Sequence, residues 1–178
     1  MVAVIAGTMN LSAGGGEHEV IVLNTALAKV GSLPLRQSQN AGRLNDIEVA
    51  GNTAYVAATA SPARNYITLN YTSVVFAIDV SRLPALSLAS ASPLHERMTE
   101  AAFVRASPNN VYVLNGGTRI VSIAARASPP AYETYWAGRG GTVYDGIPYD
   151  LVVDEENPAF QGGVAVFATS QYQDLVQL

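Results

Sequence analysis

The chain has 178 residues, 49% of them apolar and 13% charged, no cysteine, and a formal net charge of -4. That length supports one substantial core and excludes two large domains, while the missing cysteines exclude disulfides, thiolate chemistry and cysteine-ligated zinc. Lys29 is the only lysine and stands with nine arginines against 14 carboxylates, so there is no basic field for phosphates and nucleic acid is not expected as a partner.

From the start, MVAVIAGTMNLSAGGG holds a short apolar run with no basic region before it and too little length for a signal peptide or a membrane helix. Membrane insertion is not expected, and the chain is either cytosolic or has its leader outside the residues shown. VAVIAGT from Val2, a Gly14-Gly15-Gly16 loop, EVIVLNT from Glu19 and VGSLPL from Val30 read as three strands. In Asp46 to Ala57 a β-rich run through Ile47 and Val49 meets a Gly51-Asn52 turn and a second run through Tyr55 and Val56, which is a hairpin pattern. SVVFAIDV, Ser73 to Val80, is a third run, SRLP breaks it, and LSLAS, Leu86 to Ser90, is a shorter fourth. Four runs make one antiparallel unit.

LHERMTEAAF, Leu94 to Phe103, is the only segment able to make a helical turn, with Pro93 well placed before it; it reads as a connection between units. The order of runs then returns as AAFVRASPNNVYVLN from Ala101, TRIVSIAA from Thr118, a Ser128-Pro129-Pro130 break and AYETYW. It returns again in part as YDLVVDEENPAFQGGVAVFATS from Tyr149 and a closing QDLVQL. With the second run as marker, Ala3, Tyr55, Tyr112 and Ala165 are separated by 52, 57 and 53 residues, a drifting period that points to stacked β modules with variable loops.

An apolar sheet face must be covered by a neighbour to leave water, and strands packed on both faces lose the polar alternation of a half-exposed sheet. VAVIA, SVVFAI and VAVFA have that doubly buried character, which argues against a two-sheet sandwich of viral or cell-envelope type, where even alternation is expected. The expected fold is therefore all-β: a single domain over 1–178, a β-propeller-like array of four-stranded antiparallel blades, incomplete at about three to four blades. The approximate blades are 1–35 (partial), 45–90, 101–136 and 149–178 (partial). About fourteen strands do not close a ring, so self-association or the remainder of a longer propeller is expected to complete it.

DIEVAGNTAYVA followed by VVFAIDVSRLPALS resembles the blade consensus of LVIVD-type bacterial β-propeller repeats. The resemblance is good for Asp46 to Ser90 and looser for Ala101 to Thr134. From Tyr149 it rests on YDLVV and VAVFATS, and before Leu35 on run order alone. It implies a secreted, periplasmic or cell-surface location and a binding scaffold, with no particular catalytic residue. Two departures stand out: the long loop SPARNYITLNYT, and Ile123-Ala124-Ala125 where Asp79-Val80-Ser81 sets the expectation.

The candidate sites are few. Glu17, His18 and Glu19 enter a strand from the Gly-rich loop, and alternation puts the two carboxylates on one face, a weak site for a divalent cation such as calcium beside the plainer reading of a solvated hairpin loop. GRGGTVYDGIPYD combines Gly138, Gly140 and Gly141, which free the backbone, with Arg139, Tyr144, Asp145 and Tyr149, the ingredients of a recognition loop for a ligand, beside the reading of a connection between blades. DEEN, Asp154 to Asn157, lacks the ligand spacing of a calcium loop and reads as an exposed turn. His95 with Glu96 and Glu100 has no serine motif to serve. Asp46, Asp79 and Asp150 recur at related positions and read as structural acceptors of backbone N–H groups. Tyr66, Tyr71, Tyr132, Tyr135 and Trp136 either line a ligand surface or pack between blades. The first functional reading is a non-enzymatic scaffold contacting protein or glycan. The alternative is a propeller-type enzyme of lactonase, phytase or quinoprotein kind with a metal or cofactor.

Overall fold

The computed structural model describes residues 2–3, 18–35, 43–59, 73–94, 101–115, 120–126, 132–136, 148–154, 165–170 and 173–177, and among these described residues there are fourteen short strands and no helix. They form four antiparallel sheets, each made of strands consecutive in the chain. The first sheet is β1 (Val2–Ala3), β2 (His18–Leu23) and β3 (Lys29–Leu35). The second runs β4 (Arg43–Ala50), β5 (Thr53–Thr59), β6 (Ser73–Asp79) and β7 (Ser87–Pro93). The third runs β8 (Ala101–Ala106), β9 (Asn110–Asn115), β10 (Ile120–Ala125) and β11 (Glu133–Trp136). The fourth is β12 (Pro148–Asp154), β13 (Ala165–Ser170) and β14 (Gln173–Gln177). Of the segment given a helical option, Ala101 to Phe103 opens β8, and 95–100 lie outside the described residues. Among the described residues no helix is long and apolar enough to cross a membrane.

The second sheet explains the lost alternation. β5 and β6 are buried almost throughout because each face meets a different neighbour. Ala54, Val56, Ala58, Val74, Phe76 and Ile78 pack with Val20, Val22 and Leu35 of the first sheet. The intervening Tyr55, Ala57, Val75 and Ala77 pack with Ala101, Val104, Val111 and Val113 of the third. A strand side chain alternates faces with period two, so a run such as VVFAI is apolar at every position only when both faces are covered. β9 repeats the device: Val111 and Val113 face the second sheet, while Tyr112 and Leu114, on its other face, are also buried. β4 lies against β8, and β8 against β12, so the first strands of successive sheets stand side by side.

The repeat extends to irregularities. The pairing of β4 with β5 shifts between Leu44 and Asp46, that of β8 with β9 between Ala101 and Phe103, and that of β12 with β13 between Pro148 and Asp150. Asn45, Ala102 and Tyr149 are thus the extra residues of equivalent bulges, and Asp46, Phe103 and Asp150 are structural equivalents. The register also corrects one alignment. Thr53 pairs with Asp79 and Asn110 with Ala125, and the N–H groups of Val80 and Arg126 donate to the equivalent carbonyls of Asn52 and Asn109. Ala125 and Arg126, not Ile123 and Ala124, therefore stand where the second sheet has Asp79 and Val80. Pairing register slides freely past small residues in sequence, whereas the hydrogen-bond ladder fixes it.

Close packing holds the loop between β6 and β7 to the first sheet. A Cβ on Gly31 would lie 2.8 Å from the Pro84 carbonyl oxygen and 3.2 Å from Leu83, so only glycine fits that approach.

Candidate functional site

The strip where β4 meets the third sheet is held by directed polar bonds. The bulge at Asn45 turns two consecutive polar side chains toward β8. Asn45 Nδ2 donates to the Ala101 carbonyl at 2.7 Å and to Thr59 Oγ1 at 2.8 Å. The Asp46 carboxylate accepts the Val104 N–H at 3.0 Å and pairs with the Arg105 guanidinium. Asp46 thus satisfies a donor at a strand edge that is otherwise fully buried, since Val104 is 0% exposed. At the opposite end, Arg126 donates from Nη1 to the Ser107 carbonyl at 2.8 Å and from Nη2 to the Ala50 carbonyl at 3.0 Å, bridging the third sheet to the second. Tyr132 packs against the same interface close to Tyr55, and burial pushes its phenol pKa up. Of the aromatic residues named from sequence, Tyr132 therefore serves packing between sheets.

Strand ends carry a second recurring device. Asp79 Oδ1 accepts the Ser81 N–H at 2.8 Å, and that bond, with the Ser81 side chain, holds its carboxyl below the usual range. In the first sheet the equivalent acceptor is Asn24, whose Oδ1 takes the N–H groups of Ala26 at 2.9 Å and Ala28 at 3.0 Å.

Beside β4 lies a cleft of ≈ 670 Å³, lined among others by Val22, Ile47, Glu48, Val49, Asn52 and Leu83. Its walls are mixed, with Gly51, Asn52 and Ser81 beside Val22, Val80 and Leu83, and the one carboxylate among its lining residues is Glu48. Partial burial pushes the Glu48 carboxyl up, an effect that Arg105 opposes and Asp46 reinforces. A carboxyl whose folded pKa lies above its unfolded value binds the proton more tightly in the folded chain, so its ionisation costs stability as pH rises past the ordinary 4.5. Glu48→Gln is therefore expected to match the parent below that pH and to be slightly more stable at neutral pH, the effect being small because Glu48 is partly solvent-screened. Urea unfolding of both chains at acid and neutral pH checks the sign.

Of the residues singled out from sequence, Glu19 forms an ion pair with Lys29 Nζ at 2.8 Å. That bond and one to Ser32 hold its carboxyl below the usual range. His18 opens β2 opposite Leu35, and Glu17 lies outside the described residues. Tyr149 is the bulge residue of β12, while Arg139, Tyr144 and Asp145 lie outside the described residues, as do His95, Tyr66 and Tyr71. Among the described residues no three His, Asp or Glu side chains converge as a metal site. Sequence reasoning missed the Glu48 cleft, Arg126 and Asn24. Aligning Leu23-Asn24 with Ile78-Asp79 would have found the last. Nothing in EVAGN marks Glu48 as lining a cavity.

Comparison of the chain with protein-family models, curated proteins and solved structures gives no match.

Proposed function

We propose that the chain is a non-enzymatic scaffold: a β-propeller-like array of LVIVD type, with its sheets as blades, that contacts a protein or glycan partner or further copies of itself outside the cytoplasm. The observation that supports this reading is how the described charged groups are used. Asp46, Arg105 and Arg126 tie one sheet to the next, and Asp79 and Glu19 hold a turn and a strand pair. An enzyme of propeller type needs acidic groups from several blades released from such duties and aimed at one metal or substrate. Among the described residues Glu19, Asp46 and Asp79 are spent on such contacts, and Glu48 stands in the cleft beside β4 without another carboxylate among the lining residues.

Metal analysis of the purified chain, with turnover assays on lactone and phosphate-ester panels with calcium and after chelation, tests the reading. The expected result is no turnover in either condition. Calcium-dependent hydrolysis abolished by the chelator overturns it in favour of the enzyme.

A further inference from the structure

We draw no further inference here: the strongest candidate, the cleft beside β4 between Val22, Ile47, Val49, Val80 and Leu83, carries nothing because nothing in the structure shows what covers it.

Discussion

Replacing Phe76 with alanine is expected to lower the unfolding free energy by about 3–5 kcal/mol, and replacing its neighbour Val75 with aspartate to leave no cooperatively folded chain. The two residues are adjacent in β6, are both 0% exposed, and point to opposite faces. Phe76 fills the core shared with the first sheet, and Val75 the core shared with the third. Truncating the ring removes its transfer free energy and leaves a cavity that the strand pairing on both sides of β6 prevents from collapsing. An aspartate at Val75 buries a carboxylate among Tyr55, Ala77, Val104 and Val113 with no cationic partner among them. In a two-layer sandwich one of these neighbours would face water and tolerate its change. Equilibrium urea unfolding, with near-ultraviolet circular dichroism to confirm packing, measures both.

The second large effect belongs to Asp46. Asp46→Ala is expected to cost about 2–3 kcal/mol and Asp46→Asn about 1 kcal/mol, with little dependence on salt. The Asp46 and Arg105 side chains are 23% and 27% exposed, so their attraction is partly screened. The larger loss is the acceptor for the Val104 N–H, which sits on a fully buried residue and finds no water in its place. An asparagine oxygen still accepts that bond, which is why it recovers part of the loss. Arg105→Ala should cost less than Asp46→Ala, because the Val104 bond survives it. If the two alanine variants prove equally destabilised, the ion pair and not the backbone bond holds the sheets.

Much of the architecture was legible because the repeat is written in apolar runs and turn residues. The Gly51-Asn52 hairpin, the break at Ser81 to Pro84 and the order of runs each follow from local chemistry, and all fourteen strands occur in that order. Doubly buried runs such as SVVFAI announced that both faces of their sheet are covered. Register was less legible: Ala124 and Ala125 are identical and no carboxylate marks the strand end as Asp79 does, so only the pairing of Asn110 with Ala125 fixes the match. The fourth run of the second unit reaches Pro93, past the apolar LSLAS, because its outer residues are mostly exposed and pair by backbone alone.

Site residues were harder to read for a physical reason. Asp46 looks like a strand-end acceptor in sequence, and it does accept a backbone N–H, but from the neighbouring sheet at Val104 and not from a turn of its own. The turn role falls to Asp79 and to Asn24, which no count of carboxylates includes. Glu48 sits between two apolar residues in an ordinary alternating strand. Its charged neighbours, Asp46 and Arg105, are set by the bulge at Asn45 and by the neighbouring sheet, neither of which the local sequence announces.

The claim on which the rest depends is that the second sheet is sandwiched between two others. Methyl and aromatic NOEs in a selectively labelled sample test it most directly. The account predicts cross-peaks from Phe76 and Val56 to Val20, Val22 and Leu35, together with cross-peaks from Val75 and Ala77 to Val104 and Val113. One set present with the other replaced by solvent exchange along Tyr55, Ala57, Val75 and Ala77 would contradict it.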